Sequence, residues 1–247
     1  MTKRVWVEHL MGMPISIHVR SSDPDHELVD RAVAAAYAEL VRVDQWYSTY
    51  REDSWVSRVR CGEIALGSCP PEVQDVAAQC ARAQEATGGA FTPWLPDPDG
   101  VVRFDPTGLV KGWAIDRAGQ QLAGLPGAAW SVNAGGDVLV GRHRHVPPTG
   151  ADAAPWRIGI EDPRRPGTIA TVVPVSTGGV ATSGTAARGA HLYDPRTGQW
   201  VGRSGSTTVV GPTLVEADIW ATALFVGDAD TARRFAQAAA SCSAFSL

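Results

Sequence analysis

From Pro14 the chain alternates apolar and polar residues through Ile15-Ser16-Ile17-His18-Val19-Arg20, the period-two pattern of a strand with one buried face. The period then changes. Asp23-Pro24 supplies a helix start, and Leu28, Ala32, Val33, Ala36, Tyr37 and Leu40 recur at helical spacing, predicting an amphipathic helix to about Asp44. A second helix is expected over Pro71–Thr87, stopped by Gly88-Gly89, and a third over Leu109–Leu122. Between them, residues 88–108 are rich in glycine and proline. They read as a structured loop in which Phe91, Trp94 and Leu95 need burial.

Trp130–Val132 and Asp137–Val140 read as strands around a Gly135-Gly136 turn. Arg142–Pro155, with its histidines and prolines, is expected to be a flexible surface loop. Short strands follow over Trp156–Ile160, Thr171–Val175, Ala190–Tyr193 and Thr207–Val210. Pro212–Val226 and Asp228–Ala240 return to helix. Strands mixed irregularly with helices predict an α+β fold, and no internal repeat divides the chain, so one domain over residues 1–247 is expected.

Composition narrows the function classes. With 247 residues, 44% of them hydrophobic, there is ample material for a core. A net charge of −4 lacks the concentrated positive charge of a nucleic-acid binder. No eighteen-residue apolar stretch predicts a membrane span. The amino terminus has neither the apolar core nor the cleavage site of a secretory signal, so a cytoplasmic location is expected. Cys61, Cys69, Cys80 and Cys242 lack any Cys-x-x-Cys pair and read as reduced thiols. Lysine is nearly absent: Lys3 and Lys111 apart, every basic residue counted with them is arginine. A lysine kept inside a glycine-rich segment invites a chemical reason.

Three segments carry candidate chemistry. In Leu214–Val226, Asp218 and Thr222 lie four residues apart on one face of an apolar helix. Two hard oxygen ligands there suit magnesium. The alternative is a wet face, with Thr222 bonded to a backbone carbonyl. In Phe104–Asp116 a glycine turn enters a helix with Lys111 in its first turn, where N–H groups and an ammonium can hold a pyrophosphate, although no Walker pattern follows. Without an anion, the same residues make a helix entry with a surface lysine. Finally, Thr182-Ser183-Gly184 precedes His191 and the tight turn Asp194-Pro195-Arg196-Thr197-Gly198.

Taken in order, these segments resemble one family. The Asp105–Gly112 segment ending in Lys-Gly, Asn133-Ala134-Gly135-Gly136-Asp137, Thr182-Ser183-Gly184, His191 with Asp194–Gly198, and Asp218 through Thr222 are together similar to the ApbE-type FAD:protein FMN transferases. The resemblance runs from Met11 to about Val226. It implies an ApbE-like (T-fold-like) architecture of mixed sheets with packed helices. It also implies magnesium-dependent transfer of FMN from FAD, as substrate, to a Thr or Ser hydroxyl of an acceptor flavoprotein, with release of AMP. By position, Mg²⁺ would be held by Asp218, Thr222 and backbone oxygens of Gly108 and Ala221. FAD contacts would come from Met11, Tyr50, Ala90, Phe91, Thr92, Asp105, Lys111 and the Tyr193 backbone.

The resemblance makes Asp218, Lys111 and His191 the catalytic set, with His191 as general base toward the acceptor hydroxyl and Asp194 or a metal-bound water as alternatives. The chain departs from the family pattern in lacking an aspartate after Phe91, in Pro106-Thr107-Gly108, and in lacking a tyrosine after Thr182-Ser183-Gly184. Two other functions share these residues: an FAD pyrophosphatase, with water as nucleophile, and a non-catalytic FAD-binding protein.

Overall fold

The computed structural model describes residues 2–185 and 192–247. In chain order its elements are β1 (Thr2–Leu10), β2 (Met13–Ser21), α1 (Glu27–Tyr47), α2 (Trp55–Arg60), α3 (Pro71–Ala86), β3 (Trp94–Pro96), β4 (Val102–Phe104) and α4 (Thr107–Leu122). The chain continues with β5 (Ala129–Ala134), β6 (Asp137–Arg142), β7 (Trp156–Glu161), β8 (Ile169–Val175), β9 (Gly178–Gly184), β10 (Tyr193–Asp194), β11 (Gln199–Trp200), β12 (Ser206–Gly211), α5 (Leu214–Val226), α6 (Ala229–Ala238) and β13 (Ser243–Ser246).

Seven strands form one antiparallel sheet in the order β1-β2-β5-β6-β9-β12-β13. Each departure from sequential pairing is an insertion. Helices α1–α4 fall between β2 and β5, the β7–β8 hairpin between β6 and β9, and α5–α6 between β12 and β13. The alternation of β2 decides which face receives which layer. Ile15, Ile17 and Val19 point into the main core, with Val132, Leu139, Ala181 and Val209 from the neighbouring strands, beneath α1, α4 and α5. The other face carries Val138, Val140 and Val180, covered by Trp156, Ile160 and Val175 of the β7–β8 hairpin. The α+β expectation holds.

Several local expectations change. Asp23-Pro24 does not start α1; its N-cap is His26, whose Nδ1 accepts the Leu28 N–H at 3.1 Å. Strands β1, β9 and β13 and helix α2 had no sequence reading. β1 lies at the sheet edge and shows no clean alternation, and β9 is rich in glycine and small residues. Trp94 is 46% exposed, because the β3–β4 hairpin sets its ring against Phe104 at the surface; Phe91 is buried as expected. Of the strand read over 190–193, Tyr193 begins β10 and Leu192 lies outside any strand, while Ala190 and His191 lie outside the described residues. The Arg142–Pro155 segment is tied to the body by backbone bonds from His143 to Ala128 and from Gly127 to Val146.

Two constraints hold the helical layer. The first is ionic: Glu39 of α1 accepts from Arg42 at 2.8 Å and also pairs with Arg117 of α4, while Arg42 bridges to Glu72 of α3 at 2.9 Å. Hydrogen bonds from Arg42, against the effect of burial, hold the Glu39 carboxyl down to about 2. The second is steric. A side chain at Gly112 would put its Cβ 2.7 Å from the Val215 Cα, and one at Gly179 would come 2.5 Å from the Leu214 Cα. α5 therefore lies directly against α4 on one side and β9 on the other.

Gly112→Ala should destabilise the protein by about 2–3 kcal/mol, through overpacking of backbone on backbone. The control Gly124→Ala, with open space around it, should not destabilise. Urea denaturation midpoints check the contrast. Glu39 has a lowered folded-state pKa, so its stabilisation is full above about 4.5 and is lost as pH falls through about 2. Glu39→Gln should cost about 2 kcal/mol at neutral pH. It should also flatten the stability profile across that acid window, as measured by denaturation at a series of pH values.

Candidate active site

The N-terminus of α5 is held by a side chain from α4. Asp116 accepts the N–H groups of Leu214 and Val215 through its two oxygens, each at 2.9 Å, and the Thr213 hydroxyl accepts from Glu216 at 3.3 Å. These bonds satisfy the first three donors of the helix. Burial pushes the Asp116 carboxyl up, against the lowering effect of the same two N–H bonds. With its start fixed there, α5 turns Asp218, Ala221 and Thr222 onto the side facing α4 and the sheet.

Gly108, Lys111 and Gly112 lie one turn apart on α4, and the close crossing at Gly112 brings Lys111 to α5. Its Nζ is 3.3 Å from Asp218 Oδ2 and also pairs with Asp137 Oδ2 at the start of β6. Both aspartates are buried, at 3% exposure for Asp137 and 4% for Asp218. Asp137 is fixed in turn by the Thr182 N–H, which donates to its Oδ1 at 2.8 Å. Beside this group the Thr222 hydroxyl is 2.9 Å from Ser183 Oγ on β9. The wet-face alternative for Asp218 is thus excluded, as is the surface-lysine alternative for Lys111. Two buried carboxylates share one ammonium, with two hydroxyls alongside.

The other predicted residues divide by place. Ala90 and Phe91 are buried, and the Phe91 ring lies against Gly108, so the 90–92 loop abuts the start of α4. That makes Phe91 a core contact of the helix start. Thr92 accepts from Trp94 N at 3.1 Å and from Gln84 Nε2 at 3.3 Å. Asp105 accepts the Thr107 N–H at 3.0 Å and pairs with Arg60 at 3.3 Å, shaping the same helix start. Met11 adopts φ 53° in the Met11-Gly12 turn of the β1–β2 hairpin and packs on the main core. Tyr50 is 97% exposed in the turn after α1.

Tyr193 stacks at a tilt on Trp200 at 5.4 Å. Asp194 is buried and paired with Arg196, whose bonds outweigh burial and hold the carboxyl below its usual range. Arg196 also donates to Val226 O at 2.8 Å, which clamps the Asp194–Gly198 turn to the end of α5. His191 lies outside the described residues.

Sequence reasoning left three members of the site without roles: Asp137, Ser183 and Asp116. Asp137 and Ser183 fell inside quoted motifs, and the signal for Asp137 was a carboxylate placed directly after a strand turn. Among the described residues no group of three or more His, Cys, Asp or Glu side chains is arranged to hold a metal. The cluster instead offers aspartate and hydroxyl oxygens, a hard-donor set that fits a small divalent cation.

A model described as the ApbE family matches residues 11–97 and 94–245. The FAD:protein FMN transferase of Salmonella typhimurium is 31% identical over 236 residues, covering 74% of this chain and 67% of that protein. That of Haemophilus influenzae is 29% identical over 147 residues, covering 55% of this chain and 41% of that protein. The match thus spans about two fifths of the Haemophilus relative's length. Among solved structures, the ApbE protein of Thermotoga maritima superposes with a TM-score of 0.79 at 22% identity, covering 98% of this chain and 93% of that one. The flavin transferase ApbE of Vibrio cholerae gives 0.76 at 20% identity, with 98% and 92% covered. These likenesses show a shared fold.

Replacing Lys111 by methionine should destabilise the protein by about 3 kcal/mol, because it leaves two buried carboxylates facing each other. Adding Asp137→Asn in the same chain should restore at least half of that loss. A double-mutant cycle by urea denaturation measures both.

Proposed function

The chain belongs to the ApbE family, and we propose that it transfers FMN from FAD to a threonine or serine hydroxyl of an acceptor flavoprotein, releasing AMP. The observation that carries the proposal is the buried Lys111–Asp137–Asp218 cluster beside Thr222. It lies within the range matched to the family, in a chain whose relatives bear that activity in their names.

The reaction forms one bond and breaks one. The acceptor oxygen attacks the FMN-side phosphorus of FAD, and the pyrophosphate bridge to AMP breaks. The hydroxyl proton passes to a base, for which His191 is the proposed residue. AMP leaves with the bridging oxygen. This displacement needs negative charge neutralised around the phosphates and the reactants held in line.

Lys111 supplies a compact positive charge; it lies in the second turn of α4 rather than the first, and the N–H groups of Thr107, Leu109 and Val110 at the helix start are already bonded to Asp105 and Pro106, so the ammonium is the group that would meet a phosphate. Asp137 holds that ammonium in place and is a positioning residue. We assign Asp218, the Thr222 hydroxyl and carbonyl oxygens of Gly108 and Ala221 as the holders of one Mg²⁺. When bound there, the ion supplies Lewis-acid stabilisation of the pyrophosphate and the departing AMP. Ser183, through its bond to Thr222, orients that hydroxyl. Asp105 and the 90–92 loop shape the helix start against which FAD would lie, and Met11, Tyr50 and Tyr193 are proposed as its outer contacts.

The purified protein should be incubated with FAD and Mg²⁺, with and without a flavoprotein domain carrying a target threonine. Chromatography then measures AMP, free FMN and protein-bound flavin. AMP that depends on the acceptor, matched by covalent flavin on it, is the expected result. AMP with free FMN and no dependence on the acceptor would make water the nucleophile and overturn the transferase reading. Asp218→Asn should lower AMP release about 100-fold, equivalent to losing about 3 kcal/mol of charge stabilisation. It should also weaken Mg²⁺ binding measured by calorimetry.

A further inference from the structure

The two edges of the seven-stranded sheet are unlike each other. β13 is four residues long, the short form in which exposed edges are commonly kept. β1 is nine residues long and pairs with β2 without a break in register, from Thr2 opposite Ser21 to Leu10 opposite Met13. It contains no proline and no bulge, the devices that blunt an edge against another strand. Among the described residues, β2 is its only strand partner.

Hairpin geometry fixes which groups this edge presents. Met11 and Gly12 have φ 53° and 73°, both positive as in a type I′ turn, so the flanking residues Leu10 and Met13 exchange both backbone bonds. Alternation along the antiparallel ladder then directs the N–H and C=O groups of Thr2, Arg4, Trp6, Glu8 and Leu10 to β2. Those of Lys3, Val5, Val7 and His9 point outward. Side chains alternate in step. Trp6 packs on the main core with the Arg4 guanidinium 4.5 Å from its ring centre, whereas Val5 and Val7 lie on the other face at 42% and 58% exposure.

The edge is complementary to itself. Arg4-Val5-Trp6-Val7-Glu8 reads alike in both directions, except that its two ends carry opposite charges. We propose that β1 is an interface for a second copy of this chain, paired antiparallel about a two-fold axis at Trp6, which joins the two sheets into one. This register sets Arg4 opposite Glu8 and Val5 opposite Val7, each twice, and lets the outward groups form about eight backbone bonds. Lys3 falls opposite His9 and Thr2 opposite Leu10, so no acid meets an acid and no lysine or arginine meets another. Centring the axis on Val5 or Val7 instead puts Arg4 against Trp6 or Leu10, and both charge pairs are lost. Arg4 also holds Asp30 through Nη1 and Nη2 at 3.1 and 3.0 Å, and Asp25 at 3.4 Å. These contacts keep its pose, and five N–H donors leave room for a further carboxylate.

The proposal stands apart from the transferase reading, and its test does not use turnover. Sedimentation velocity of the full chain should show monomer passing to dimer as concentration rises. Glu8→Arg places like charges opposite each other and should weaken the dimer at least about tenfold, as should Arg4→Glu. An equimolar mixture of the two variants has opposite charges at every such contact, and association should return to within about threefold of the unaltered chain. Amide exchange followed by NMR needs no variant. The Val5 and Val7 amides should gain protection with concentration, while those of Trp6 and Glu8, bonded to β2, stay protected throughout. Four results would each overturn the assignment: a chain monomeric up to about 500 μM, a dimer that Glu8→Arg leaves intact, a mixture of two folded variants that associates no better than either, or Val5 and Val7 exchange that ignores concentration.

Discussion

The approach of α5 to α4 at Gly112 is the constraint on which the rest of the site depends. Backbone meets backbone there, with Val215 over Gly112 and Leu214 over Gly179. Asp116 then fixes the start of α5 by accepting two of its N–H groups. A one-residue rotation of α5 would swing its side chains by about 100°. Asp218 would leave Lys111, and Thr222 would leave Ser183. The two glycines set the distance, while Asp116 sets the rotation.

That geometry explains how two aspartates stay buried. An unpaired buried carboxylate is costly, and Lys111 pairs with both. Asp137 receives further help from the Thr182 N–H. A purely structural cluster of this kind gains little over apolar packing. Stability is supplied elsewhere, by the cores on both sheet faces and the Glu39–Arg42–Glu72–Arg117 network.

Much of this was legible in the sequence. The four-residue spacing of Asp218 and Thr222 placed them on one helix face, and the lone lysine of the glycine-rich segment marked Lys111. The strands with alternating patterns, β2 and β7, were also readable. The residues that were missed have contacts distant in sequence. Asp137 looks like the end of a Gly-Gly turn; its partners Lys111, Thr182 and Asp218 come from three other elements. Asp116 looks like an exposed helical acid, although its oxygens serve a helix that begins 98 residues later. β9 hides for a different reason: its glycine exists so that α5 can approach, and that same glycine erases the β-branched signature of a strand.

The scarcity of lysine can be read the same way. Arginines make the chain's outer networks, where a planar guanidinium spans two carboxylates, as Arg42 and Arg60 do. At position 111 the requirement differs. The cation must enter a narrow space between two buried aspartates from a neighbouring helix turn, and a compact ammonium on a flexible stem does this where a rigid fork would collide. Three rotatable donors also let Lys111 serve Asp137 and Asp218 from different directions. Arginine at this position would retain the charge and lose that adaptability. The chemistry of the site, together with its space, accounts for a lysine here.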